Sequence, residues 1–157
     1  MSNNNYWLMK TEPGTFSIFD LETSPEKTTH WEGVRNYQAR NFMRDGMKLG
    51  DKLFIYHSVI DPVGIFGTAY ISKEAYVDHF QFDPNSKYYD PKASPQKPIW
   101  QMVNVTLEKI FKEPITLKQL KDFPELSEMV VVQKGSRLSI QPVKEEEWKF
   151  IMGKVEE

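Results

Sequence analysis

The 157 residues carry 20 Lys and Arg against 22 Asp and Glu, a net charge of −2, with 39% hydrophobic and 27% charged side chains. That balance fits a folded chain with its own core; it excludes a disordered chain and a broad cationic surface, but not a local basic patch. Cysteine is absent, which removes disulfides, zinc–thiolate sites and cysteine nucleophiles.

No apolar run approaches the ~18 residues of a membrane span, so no membrane partner is expected. The opening MSNNNYWLMKTEP lacks the cationic start and long apolar stretch of a signal peptide. A cytoplasmic protein is expected, or a nuclear one in a eukaryote, with a single domain over residues 1–157.

Residues 6–11, YWLMKT, are rich in strand formers and read as a first strand, stopped by Glu12-Pro13-Gly14. Ser17 to Leu21 suggests a short helical turn, and Ser24-Pro25-Glu26-Lys27 a loop. Asn36 to Met47 predicts an amphipathic helix capped by Asn36. Ala39, Phe42 and Met43 share one face, with Tyr37, Arg40, Asn41 and Arg44 opposite. Lys52 to Ser58 predicts a buried strand, and Val63 to Ile71 another. Gly64 and Gly67 inside the latter suggest a bulge or a close approach.

Asp78 to Pro98 predicts a long ordered loop, and Trp100 to Phe111 a strand. Thr116 to Lys121 opens with a Thr-x-x-Gln capping box, and Glu125 to Met129 adds a helical turn. Val130 to Gln133 and Leu138 to Val143 are expected as strands around Lys134-Gly135-Ser136. Lys144 to Val155 predicts a helix with the stripe Trp148, Ile151, Met152 and Val155. The order β-α-β-β-β-α-β-β-α is not doubly wound. It predicts an α+β fold, a small curved mixed sheet or open barrel of five to six strands flanked by helices.

The richest stretch for chemistry is WEGVRNYQARN, residues 31–41, with one tryptophan, one tyrosine, two arginines, two asparagines and a glutamine. Trp31 stands in a polar neighbourhood, which suits an accessible stacking face; the alternative is a core indole. Arg35, Arg40 and Arg44 suit phosphate by their planar donors, or else make salt bridges on a solvated helix face. Asn36 and Gln38 carry amides able to pair with a base edge, although Asn36 also suits an N-cap. Tyr37 could close a pocket or anchor its helix.

Tyr56, His57 and Ser58 end a strand, where pocket residues often sit; His57 is alternatively a satisfied structural histidine. The loop Lys134-Gly135-Ser136-Arg137-Leu138-Ser139 could hold an anion without being a P-loop, or be a plain hairpin turn. Glu145-Glu146-Glu147 reads as acids complementing a helix dipole. His30, His57 and His79 lack metal-ligand spacing, so no metal and no cofactor is expected.

YWLMKTEP, WEGVRNYQARNFMRDGMKLGD, FIYHS, GIFGTAY and SRLSIQPV occur in this order, and together they resemble the signature segments of the EVE domain family. That family belongs to the PUA-like superfamily, with ASCH domains, and is similar in fold to YTH domains. The resemblance covers Tyr6 to about Trp148 and implies a PUA-like pseudo-barrel. It also implies a reader of modified bases in DNA or RNA, with 5-methyl- or 5-hydroxymethylcytosine as leading candidates.

By similarity to YTH pockets, Trp31 occupies the position of a pocket tryptophan, and Lys10 and Ser58 flank it. The expected base-binding set is Lys10, Trp31, Asn36, Tyr37, Gln38, Tyr56, His57 and Ser58. The expected phosphate set is Arg35, Arg40, Lys134, Arg137 and Ser139. The partner expected is nucleic acid carrying a modified base. The alternatives are an enzyme acting on a modified nucleotide or base, using His57 or Glu12, and a small-molecule-binding domain.

Overall fold

The computed structural model describes residues 5–135 and 137–155. Ser136, singled out in the 134–139 loop, lies outside the described residues. Six strands form one sheet: β1 (Tyr6–Thr11), β2 (Thr28–His30), β3 (Lys52–His57), β4 (Gly64–Val77), β5 (Gln101–Thr116) and β6 (Ile140–Val143). Their order is β2-β5-β4-β3-β1-β6. Only β1 and β3 run parallel; the other neighbours are antiparallel. The edge strands β2 and β6 do not pair with each other among the described residues, so the sheet is mixed and open, as expected.

Both faces of the sheet are covered, which explains why KLFIYH reads as a continuous apolar run rather than an alternation. Trp7, Met9, Leu53 and Ile55 point to one face, under α1 (Ile18–Thr23) and α2 (Tyr37–Asn41). Leu8, Phe54 and Tyr56 point to the other, under α3 (Leu117–Asp122) and α4 (Glu145–Val155). Trp148 of α4 stacks on Phe54 with ring centroids 4.1 Å apart. Glu147, in the acidic first turn of α4, accepts from the Lys144 N–H at 2.9 Å. Gly67 is required by close approach, because a Cβ there would lie 2.2 Å from the Lys109 carbonyl oxygen.

Three local expectations are corrected. The helix expected over Asn36 to Met47 is a short α2 followed by one π turn, Phe42–Gly46. That widened turn keeps Ala39 and Met43 in the core while Gly46 lies against the Trp7 ring, which leaves no room for a Cβ. Val130 to Gln133, expected as a strand, forms a 3-10 turn over Val130–Val132. Its β-branched residues favour a strand, but the Gln133 amide donates to the Ser127 and Met129 carbonyls and closes the turn. The next strand begins at Ile140 rather than Leu138. Apart from these, β2 was not expected at all: its three residues are too few to leave a periodic signal.

Candidate nucleic-acid interface

A cleft of ≈ 330 Å³ opens between the end of β1, the turn after it, the segment after β2, and two loops; its lining includes Lys10, Glu12, Phe16, Trp31, Arg35, Tyr88 and Ser139. Trp31 is held at the end of β2, where its N–H donates to the Val103 carbonyl of β5 at 2.7 Å. Its half-buried ring meets Phe16 edge-on at 6.5 Å. Phe16 is placed by a turn in which the Thr15 and Phe16 N–H groups both donate to the Glu12 carbonyl at 2.9 Å. Ser139 reaches the cleft because the Lys10 N–H donates to its carbonyl at 2.8 Å, next to the β1–β6 pairing.

The charges around the cleft are mixed. His30 Nδ1 and Glu32 Oε2 lie 2.6 Å apart on one wall. Lys10 projects over the Tyr56 ring at 5.7 Å, and burial pulls its ammonium below the ordinary lysine range. The Glu12 carboxylate makes no side-chain hydrogen bond or ion pair among the described residues.

The outer wall is the long loop after β4. Gln81, 0% exposed, orders it: its amide donates to the Asp78 and Trp100 carbonyls and accepts from the Ile99 and Trp100 N–H groups. The fully buried Asp78 accepts from Gly33 N–H (3.0 Å), Phe80 N–H (2.9 Å) and the Arg35 guanidinium (3.0 Å). Arg35 also donates twice to the Tyr88 carbonyl, at 2.7 and 3.2 Å. This brings Tyr88 over Gly33, whose φ of 82° and lack of a side chain let the ring in; a Cβ there would sit 2.5 Å from it. The Asp90 carboxylate accepts from the Trp100 indole at 2.8 Å, and that bond holds it below the usual carboxylate range.

Residues 5–154 match the sequence model of the EVE domain. The chain belongs to the EVE domain family. Human thymocyte nuclear protein 1 is 43% identical over 166 residues, a match covering 95% of this chain and 73% of that protein. The crystal structure of human THYN1 in complex with 5-methylcytosine-containing DNA superposes with a TM-score of 0.91 at 43% identity, over 98% of this chain and 99% of that one. A Pseudomonas syringae protein of solved structure gives a TM-score of 0.91 at 45% identity, over 96% and 99%. The architecture of this EVE domain is therefore the PUA-like α+β sheet expected from the sequence.

The EVE domain brings Lys10, Trp31, Arg35 and Ser139 together on its cleft and leaves the other expected base- and phosphate-binding residues off the lining. Asn36 caps α2, its side-chain oxygen accepting from the Ala39 N–H at 2.9 Å. Tyr37 is 57% exposed and packs on Trp100, and Gln38 is exposed beside it. Tyr56 is buried behind Lys10. Ser58 donates its N–H to the Thr11 carbonyl at 2.9 Å.

Four of the five Arg35 N–H donors are used on Asp78, Tyr88 and Val34, so Arg35 is first a builder of the wall. Arg40 is spent on the Ile99 carbonyl and Asn41, and Arg44 on Asp45. Lys134 and Arg137 are exposed on the loop leading to Ser139. Glu12, named for the enzyme alternative, is on the lining; Thr11, Phe16, Glu32 and Tyr88 were not anticipated there. The turn signal Glu12-Pro13-Gly14 marked the place of Glu12; Tyr88 had no local signal.

Among the described residues, no group of three or more His, Asp or Glu could hold a metal ion, and no helix is long and apolar enough to cross a membrane. His57, 2% exposed, stacks on Phe66 at 4.1 Å, and its Nε2 accepts from the Ile18 N–H at 3.0 Å. That acceptor role needs the neutral ring. Burial lowers the His57 pKa, partly opposed by the Asp20 carboxylate.

The unfolded chain takes up the proton near the ordinary histidine value of ~6.5, and the native ring only at lower pH. The His57 contribution to stability is thus complete above that value and is lost as pH falls below it. Thermal midpoints should drop more between pH 7 and pH 5 for the parent than for His57→Gln, which keeps a neutral acceptor. Equal drops would remove His57 from the acid sensitivity of the fold.

Proposed function

We propose that this EVE domain is a non-catalytic reader that takes a modified cytosine, of the 5-methyl or 5-hydroxymethyl type, out of a nucleic-acid strand and into the Trp31 cleft. The observation that carries this is a half-buried indole on the wall of a ≈ 330 Å³ cleft, within the ~300–1,000 Å³ of small-ligand sites. The DNA in the human relative's complex supports it.

The base stacks on Trp31, for ~1–3 kcal/mol. Thymine also carries a 5-methyl group, so discrimination rests on the exocyclic amine of cytosine, a donor that a carboxylate accepts. Glu12 supplies that acceptor, with Lys10 and Ser139 facing the other base atoms. Exposed Lys134 and Arg137, with Lys87 at the cleft, meet phosphates.

The test is a panel of matched single- and double-stranded DNA and RNA oligonucleotides carrying cytosine, 5-methylcytosine, 5-hydroxymethylcytosine or thymine. 5-Methylcytosine should bind at least about tenfold more tightly than thymine in the same context, as expected for one good base contact, and about fourfold more tightly than cytosine, the ~0.8 kcal/mol of one buried methyl group. With about three phosphate contacts, duplex affinity should fall roughly 40-fold between 50 and 200 mM salt. Equal binding of all four bases would contradict the cleft assignment. A flat salt dependence would contradict the nucleic-acid assignment.

A further inference from the structure

We propose that the 58–62 loop is a wedge that enters duplex nucleic acid and fills the space left by the base turned into the Trp31 cleft. The inference rests on the reader function above. Its starting point is Val59, which holds a φ of 73°. A β-branched side chain in left-handed backbone is a true outlier, and such strain survives only where the surroundings impose it.

Here they do. The Ser58 N–H donates to the Thr11 carbonyl at 2.9 Å, the Ser58 hydroxyl reaches the same oxygen at 3.4 Å, and the Ile60 N–H donates back to the Ser58 carbonyl at 2.8 Å. The result is that two neighbouring apolar side chains stand in solvent, Val59 at 73% and Ile60 at 51% exposed.

Their position links them to the cleft. Thr11 lines it, and Ile60 lies at Gly14, 3.8 Å from where a Cβ would be, between the lining residues Glu12 and Thr15. A base drawn past this rim leaves a gap in the stack directly beside the loop. Apolar side chains inserted at a base step are a recurrent means of holding an opened duplex. Asp61 follows in the loop and would repel phosphate, so the loop's contribution is the apolar pair. In a single strand no paired stack has to be kept open, and the wedge is idle.

The experiment compares the parent, Val59→Gly, the double variant Val59→Gly/Ile60→Ser, and Trp31→Ala on one 5-methylcytosine oligonucleotide, single-stranded and in duplex. Glycine adopts the left-handed backbone without a steric penalty, so the thermal midpoint of Val59→Gly should equal or exceed that of the parent. The double variant should lose about tenfold or more of its duplex affinity, with single-strand affinity within about twofold. Trp31→Ala should lose both. Unchanged duplex binding by the double variant, as a protein partner for this pair would give, overturns the wedge. So does an equal loss on both forms. Absence of base-dependent binding by the parent on either form would instead sink the reader function and the wedge with it.

Discussion

Trp31→Ala is expected to weaken binding of a single-stranded 5-methylcytosine oligonucleotide by about five- to 150-fold, the equivalent of the ~1–3 kcal/mol of one base–aromatic stack. The loss should be largest for the modified base, whose methyl group adds to the contact with the same ring. On the proposed function, the phosphate contacts of Lys134, Arg137 and Lys87 stay in place in the variant and keep a base-independent share of the affinity. Trp31 is anchored through its backbone by Val103, so the segment after β2 keeps its course when the ring is removed.

The half-buried ring also packs on Phe16, so stability should fall by roughly 1–2 kcal/mol, less than the ~3–5 of a fully buried aromatic. Trp31→Phe keeps a stacking face and should recover most of the affinity. Competition binding, with circular dichroism as a control for folding, separates the two effects. Parent-like affinity in the alanine variant would remove the stack from the mechanism.

Asp78→Ala should have the largest effect on stability, because one carboxylate holds three donors from two sides of the cleft. Removing it leaves the Gly33 and Phe80 N–H groups and part of the Arg35 guanidinium without an acceptor. Breaking a buried pair from one side costs ~3–5 kcal/mol; because the Arg35 side chain keeps some access to solvent, the low end, about 3 kcal/mol, is expected. Total stabilities of ~5–15 kcal/mol make that a large fraction.

Arg35 also fixes the Tyr88 carbonyl, so the same change loosens the outer wall and weakens binding. Asp78→Asn retains an acceptor oxygen and loses the charge, so its loss should be smaller, about 1–2 kcal/mol. Urea denaturation of both variants measures the order. Equal midpoints for parent and Asp78→Ala would mean that the wall is held elsewhere.

What was legible in the sequence follows the range of the interactions. β1 and β3 were visible because their side chains fill two cores in strict alternation, and the cap of α3 because Thr116 and Gln119 lie three residues apart. Trp31 was visible because an indole among polar residues has no apolar stripe to join. The Val130–Val132 turn was missed because β-propensity is local, whereas the amide of Gln133 and the burial of Val131 decide the backbone.

The ties of Arg35 and Arg40 to the fold were not legible because their acceptors lie far along the chain: Asp78 and Tyr88 for Arg35, Ile99 for Arg40. His57 finds the Ile18 N–H in the same way. Tyr88 enters the cleft only because Gln81 and Asp78 fold its loop back across Gly33, an arrangement with no trace in spacing.

The most direct measurement is indole N–H nuclear magnetic resonance during titration with a 5-methylcytosine oligonucleotide. The chain has four tryptophans, and Trp7, Trp100 and Trp148 are at most 6% exposed. The Trp31 signal, assigned by its disappearance in Trp31→Phe, should move with the modified oligonucleotide and far less with the unmodified one, while the Trp7 and Trp148 signals stay in place. Saturable binding of the modified strand with the Trp31 signal unmoved would contradict the account.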